Sequence, residues 1–273
     1  MEDYTGYLRF VLDQKQDKTY IKDSFFQGAL KLTRPVYLDA SGKATLYVMN
    51  PGGGYLDGDR YKIEAELEPY AEALITTQSS TKIYKTIHTP PIQEITISLK
   101  KGSLLEYFPD PTIAFQHAQY KQSTTIFMEI GSTLIYADSF TPGWAPDGSL
   151  FTYDLIQSKM KIYQNEDLIL WDHLKLAPDL DFRGMGMMDG CTHFGSMVVI
   201  HEKVGSEILD EIFETIVSSD VDAKFGLSML TIPGFLLRGL SNSTKELEKL
   251  FQICHKYILQ SWFGKTPVPL RKY

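Results

Sequence analysis

Between Ala44 and Glu68 the sequence alternates twice, and a glycine-rich run divides the two halves. Ala44, Leu46 and Val48 recur at every second position; after the run, Tyr61, Ile63, Ala65 and Leu67 alternate strictly with Lys62, Glu64, Glu66 and Glu68. A period of two marks a half-buried strand, because successive side chains leave opposite faces of the pleat. The intervening Asn50-Pro51-Gly52-Gly53-Gly54-Tyr55-Leu56-Asp57-Gly58-Asp59 reads as a wide turn, since glycine tolerates positive φ and lets another backbone approach closely. Its local reading is a structural hairpin in which Asp57 and Asp59 accept hydrogen bonds from turn N–H groups. A phosphate-binding loop would need a Lys-Ser/Thr pair and a helix after the last glycine, and a dinucleotide fingerprint would need the same strand-to-helix context. Here the glycines lead into a strand, which argues against both.

Short strand-like segments fill the chain almost to its end. They are predicted at Tyr7–Leu12, Ser24–Leu32, Pro35–Leu38, Thr45–Met49, Tyr61–Leu67, Ala73–Thr77, Lys82–Tyr84, Glu94–Leu99, Leu104–Phe108, Ile113–Phe115, Gln119–Glu129, Thr133–Ala137, Leu150–Gln157, Met160–Tyr163 and Leu168–Asp172. Such spacing fits a sandwich, a barrel or a solenoid, and spacing alone does not choose among them. No clean repeat of fixed period is present. From Gly184 the composition shifts, with Met185, Gly186, Met187 and Met188 leading to a strand at Met197–His201. Helical periodicity appears in Ser206–Ser218, through Ile208, Leu209, Ile212, Phe213 and Ile216, and again from Thr244 to Trp262. The second helix starts at a capping-box signature, Ser243-Thr244-Lys245-Glu246. Between the helices, Phe225–Thr231 and Phe235–Leu240 read as a strand pair turned at Pro233-Gly234. No linker or charge block divides the chain, so the expectation is a single domain over residues 1–273, β-rich over 1–203 and helix-containing over 204–273.

With 273 residues, 43% of them apolar, the chain can bury a substantial core without staples. Its two cysteines, Cys191 and Cys254, argue for a reducing compartment rather than a disulfide framework. The start is acidic, no apolar leader follows, and no run approaches the ~18 apolar residues of a membrane span. A cytoplasmic location is expected. The net charge of -7 disfavours nucleic acid or an anionic membrane as partner.

Candidate chemistry is sparse. Cys191 and His193 would share one face of a strand, as a thiolate pair of a hydrolase would require. His193, His201, Cys254 and His255 match no structural zinc spacing. More telling are carboxylates within or at the ends of apolar strands. Glu106 lies between Leu104-Leu105 and Tyr107-Phe108, Asp138 ends Leu134-Ile135-Tyr136-Ala137, and Asp172 ends Leu168-Ile169-Leu170-Trp171. An unpaired buried carboxylate is costly, so each needs an ion partner, a water-filled cavity or a cation. Together with Asp59 they point to an internal polar path.

Three blocks then carry a family resemblance: Leu32-Thr33-Arg34-Pro35; Leu46 to Gly54 with Asp57-Gly58-Asp59; and Leu74-Ile75-Thr76-Thr77-Gln78-Ser79-Ser80-Thr81-Lys82-Ile83-Tyr84. Leu105-Glu106-Tyr107-Phe108-Pro109-Asp110, Ala137-Asp138 with Pro142-Gly143, and the helix ending at Phe263-Gly264-Lys265 extend it. In order and spacing these resemble the urease accessory protein UreD, or UreH, family over nearly the whole chain. The chain departs from the family pattern at Gly143-Trp144-Ala145-Pro146-Asp147-Gly148-Ser149 and at its ending, Pro269-Leu270-Arg271-Lys272-Tyr273. The resemblance implies a mainly β fold, a helical, solenoid-like stack of many short strands with a small C-terminal part of two helices. It implies a non-enzymatic maturation factor that joins UreF and the GTPase UreG, docks on the urease apoprotein and assists delivery of nickel. No tightly bound cofactor is expected, only transient Ni2+, and Asp59, Glu106, Asp138, Asp172 and the Thr81 hydroxyl are the expected lining of its path. Weak, exchanging oxygen ligands suit such passage, whereas a Cys/His cluster would trap the metal. A hydrolase built on Cys191 and His193 and a β-sandwich ligand-binding module are the alternatives from other classes.

Overall fold

The computed structural model of the chain describes residues 3–178, 187–268 and 270. β1 (Gly6–Lys15) and β2 (Lys18–Gly28) open it as an antiparallel hairpin. Gln16 and Asp17 at its tip both have positive φ, 50° and 60°, the geometry that matches a two-residue turn to the strand twist. β3 (Lys31–Leu32) then pairs antiparallel with β4 (Ala44–Met49).

From β4 the chain winds. β5 (Arg60–Leu67), β6 (Glu72–Thr77), β7 (Thr81–Ile83), β8 (Ile92–Leu99), β9 (Leu104–Phe108), β10 (Thr112–Ala114), β11 (Gln119–Met128), β12 (Thr133–Phe140) and β13 (Leu155–Gln164) follow in turn. β5, β8, β11 and β13 are parallel neighbours in one sheet; β4, β6, β9 and β12 are parallel neighbours in another. A narrow third side is built where Tyr55 bridges to Ile83, β7 pairs with β10, and Phe115 bridges to Trp144. Each coil therefore visits both sheets and stacks on the coil before it. Parallel strands need a crossover connection, and here the opposite sheet supplies it. The fold is mainly β and solenoid-like, as the family resemblance implied.

Register turns this winding into rows. Leu46, Ile75, Tyr107 and Tyr136 align across one sheet, and Leu12, Leu67, Leu99 and Met128 across the other. All are buried in one core between the sheets.

The last elements cap the coils. β14 (Asp167–Leu176) pairs antiparallel with β13 at the edge of the first sheet, which runs β14-β13-β11-β8-β5-β1-β2. β15 (His193–Ile200) adds antiparallel to β12. Then come α1 (Ser206–Val217), β16 (Lys224–Met229), β17 (Gly234–Ser241) and α2 (Thr244–Phe263), the second sheet running β16-β17-β15-β12-β9-β6-β4-β3. α1 and α2 cover the outer face of that sheet over a second core, with Ile135, Ala137, Met197 and Leu237 below and Ile212, Leu250, Cys254 and Ile258 above. Gly195 and Gly239 face each other in register on β15 and β17. A Cβ at Gly195 would lie 2.8 Å from the Phe251 ring, and one at Gly239 would lie 2.6 Å from Leu250, so the two glycines let α2 sit close to the sheet.

Several expectations need correction. The glycine-rich run does not close a hairpin, because β4 and β5 belong to different sheets; it is a coil corner. Gly54, at φ 155°, lies so close to β7 that a Cβ would meet the Lys82 carbonyl oxygen at 2.7 Å. Pro35–Leu38 is reduced to a single bridge from Val36 to Thr45. Ser24–Leu32 is divided between β2 and β3, and the polar start of β2 was not anticipated. Leu150–Gln157 and Met160–Tyr163 are one strand, β13, which starts only at Leu155. The Ser243 hydroxyl caps α2 by accepting from Lys245 N at 3.2 Å, but Glu246 accepts from Asp222 N instead of closing the box. Met185 and Gly186, and the ending at Pro269 and 271–273, lie outside the described residues.

Candidate functional site

Polar side chains interrupt the apolar rows near the third side of the coils. In the first sheet Tyr61, Gln93, Gln122 and Ser158 occupy successive register positions on the inward face. Each sits where strand parity calls for an apolar residue, and each is buried. The Tyr120 hydroxyl lies within hydrogen-bond distance of Gln93 and, at 3.0 Å, of Gln122 Oε1, and its single proton is donated to one of them; Gln122 Nε2 donates to Ser158 Oγ at 3.4 Å. Buried polar groups persist only where hydrogen bonds offset their desolvation, and this chain of contacts does that across neighbouring coils.

The second sheet carries the matching row: Asp138 on β12, Ser196 on β15 and Arg238 on β17. Ser196 Oγ donates to Asp138 Oδ1 at 2.9 Å. Burial, reinforced by the nearby Asp172 carboxylate and opposed by Ser196, pushes the Asp138 carboxyl up to about 6. Arg238 pairs with Asp172 on β14, tying β17 of the second sheet to the edge strand of the first. Between the rows lies a cavity of about 80 Å³. Its wall includes Asp138, Gln93, Gln122, Thr77, Asp110 and the stacked rings of Tyr107 and Tyr136, 5.1 Å apart. A space of that size and polarity suits a few waters. The hydroxyls of Tyr136 and Thr124 are buried beside the cavity and interact with each other. The interior therefore offers hydroxyl, amide and carboxylate oxygens to a hydrated guest.

Of the five expected lining residues, Thr81 and Asp138 line this one cavity. Asp172 lies close enough for its charge to act on Asp138, and it is held by Arg238 at the sheet edge. Asp59 lies beyond the stacked rings of Tyr55 and Tyr61, whose centroids are 3.9 Å apart; it accepts from Tyr61 OH at 3.2 Å, Thr5 Oγ1 at 3.0 Å and Leu56 N at 2.7 Å. Asp57 turns to the neighbouring loop, where its Oδ1 accepts from the N–H groups of Ile87, His88 and Thr89. Glu106 is set apart. It leaves the opposite face of β9 from Tyr107 and is buried under α2, 2.5 Å from Lys43 Nζ and 3.1 Å from His255 Nε2. Burial raises its pKa, but His255 and Lys43 more than offset this and hold the carboxyl below the ordinary range.

Cys191 precedes β15 and is buried; His193 opens the strand and contacts Thr192 Oγ1 at 2.8 Å. Burial lowers the His193 pKa. Cys254 is buried in the second core, where burial pushes its thiol well above the ordinary value. Among the described residues no group of three or more His, Cys, Asp or Glu side chains is placed to hold a metal ion. Nor is any helix among them long and apolar enough to cross a membrane. Motif reasoning missed Gln93, Gln122, Ser158, Ser196 and Arg238. For the first three the signal was present: continuing the alternation from Ile95, Ile126 and Ile162 puts each on the core face.

Residues 4–272 match the family described as UreD urease accessory protein. The chain is 43% identical to the urease accessory protein UreD of Lachnoclostridium phytofermentans, over 100% of both chains. It is 43% identical to the protein of that name from Bacillus sp. strain TB-90, over 98% of this chain and 99% of that one. Its identity to the one from Staphylococcus aureus strain JH9 is 36%, over 100% and 99%.

Proposed function

This chain belongs to the UreD family of urease accessory proteins, acting in urease maturation rather than as an enzyme, and from that premise we propose that it escorts nickel as cargo through its interior. On this reading it joins UreF, and through UreF the GTPase UreG, docks on the urease apoprotein, and hands Ni2+ towards the urease active site. The observation that supports a conduit most directly is the internal cavity carrying Asp138 between two polar rows. A hydrated divalent ion exchanges water for carboxylate and hydroxyl oxygens at modest cost, and several weak contacts in sequence allow passage where one strong site would arrest it.

The residues divide the work. Thr81 and Asp138 offer oxygens within the cavity, Asp172 offers one at the sheet edge once released from Arg238, and Asp59 offers one beyond the Tyr55–Tyr61 pair. Glu106, both of whose oxygens are engaged by Lys43 and His255, acts as the anchor that holds α2 on the sheet. The test replaces Asp59, Asp138 or Asp172 by Ala, singly and in pairs, in cells making urease. Nickel content of the purified urease and recovery of the accessory complex are both measured. Intact complexes with under-loaded urease, most clearly in the pairs, are the expected result. Full loading with intact complexes would remove the conduit reading, and loss of the complexes would reassign these residues to folding or docking.

A further inference from the structure

The outer face of the first sheet, turned away from the cavity, carries a separate charge pattern. The chain as a whole has a net charge of -7. On this face, however, Lys121 on β11, Lys159 and Lys161 on β13, and Lys175 on β14 are exposed and form no ion pair among the described residues. Register gathers them: Ser123 lies opposite Lys159 and Thr125 opposite Lys161, while Lys121 and Lys175 flank Gln157 from either side.

Between these lysines and β5 runs an open trough of about 340 Å³. Its floor is Thr96, Ser123 and Thr125, with Glu94, and its far wall is Arg60 and Lys62 beside Tyr4. The lysines of β11, β13 and β14 thus border one side of a floor of short hydroxyl side chains, while across it Lys62 is paired with Glu64 at 2.9 Å. At one end the lysines give way to apolar surface. Phe127 and Tyr163 stack at 5.4 Å, and Trp171, 65% exposed, lies 6.0 Å from the Lys161 ammonium.

We propose that this trough is a docking site for an extended, acidic segment of a partner protein, lying along the strands with an apolar residue against Trp171. Charge complementarity selects the acid: the row of Lys121, Lys159, Lys161 and Lys175 along one side attracts and orients a chain of carboxylates. The small hydroxyl floor leaves room for a backbone and supplies hydrogen bonds to it, and exposed aromatics are the usual anchors of such contacts. A nucleic acid fits less well, because Glu94 in the floor and the acidic chain as a whole repel a continuous row of phosphates. The surface does not depend on the nickel reading, since it faces away from the cavity.

The test titrates the full-length protein with a poly-glutamate peptide of about ten residues carrying a terminal leucine, ~34 Å when extended, and in parallel with an oligothymidylate of equal charge. Carbodiimide coupling of the bound peptide maps which lysines it contacts. We expect saturable peptide binding, coupling concentrated at Lys121, Lys159, Lys161 and Lys175, and at least tenfold weaker affinity in a Lys121→Gln/Lys159→Gln/Lys161→Gln variant with an unchanged melting temperature. Coupling spread over lysines elsewhere, equal affinity in the variant, or tighter binding of the oligothymidylate would overturn the proposal. Should the triple variant melt lower, Lys161→Gln alone and the coupling map, which needs no variant, decide the matter.

Discussion

Asp138 and Glu106 are both buried carboxylates, yet their surroundings push them in opposite directions. Asp138 binds its proton more tightly in the folded chain than in the unfolded one, so the folded state is favoured at low pH, and that advantage is lost as pH rises from about 4 to about 6. Above that window the charged group is a standing cost of about 3 kcal/mol at most. Asp138→Asn is therefore expected to raise the melting temperature at pH 7 and to flatten the pH dependence between pH 4 and 6, while lowering nickel loading of urease; thermal melts across that range check it. Glu106 behaves in the reverse sense. Its depressed pKa gives stability that is present above the unfolded value and lost as pH falls. Glu106→Gln leaves Lys43 and His255 facing a neutral amide, and the expected loss is about 3 kcal/mol by denaturant titration. Replacing all three by apolar residues of similar volume should recover much of it.

At the scale of elements, α2 is the piece whose placement depends most on small details. It buries Leu247, Leu250, Phe251, Cys254, Ile258 and Trp262. Its start is fixed by Ser243, and its end by Gly264 at φ 60° with Gly264 N bonded to Gln260 O. Further ties are the Glu106–His255 contact, Lys203 Nζ to the Trp262 carbonyl at 3.0 Å, and Lys265 to Glu72 at 3.3 Å. Gly195→Ala forces the rigid Phe251 ring outward, because its other neighbour is the Asp138 backbone oxygen at 3.2 Å. We expect a loss of about 1–3 kcal/mol, typical of an overpacked core. A crystal structure or amide exchange should localise the change to α2 and β15. Truncation before Ser243 would uncover the second core and is expected to yield insoluble protein.

For the whole molecule the consequence is where a partner can dock. Both cores share the second sheet, so binding at the helices bears on the coil beneath. α1 leaves Phe213 and Val217 exposed beside Glu207, Asp210, Glu211 and Glu214. If the helical part receives UreF, Phe213→Asp with Val217→Asp should weaken UreF association at least tenfold while the circular dichroism spectrum stays unchanged. The interface expected for a stable complex is on the order of 2,000 Å². Unchanged affinity measured by calorimetry would place UreF elsewhere on the surface.

Much of this was legible in the residues themselves, because it depends on neighbours along the chain. Alternation located most strands; helical spacing and Ser243 located α1 and α2; and Gly54 announced a close backbone approach. Asp138 and Asp172 were recognisable as acids following apolar runs, but neither ends its strand: β12 continues to Phe140 and β14 to Leu176, so the expected strand-end placement is corrected to the strand interior. The pairing of those strands was not legible. β4 and β5 look like the arms of a hairpin, and only the long-range contact of Tyr55 with Ile83 makes their connection a coil corner. Glu106 shows the limit most sharply. Both faces of β9 are apolar, so parity cannot say which face is the interior, and the choice falls to α2, whose His255 comes from far along the chain. The polar seam had the same origin: Gln93, Gln122 and Ser158 are isolated exceptions in sequence, and become a row only because the parallel register stacks one coil on the next.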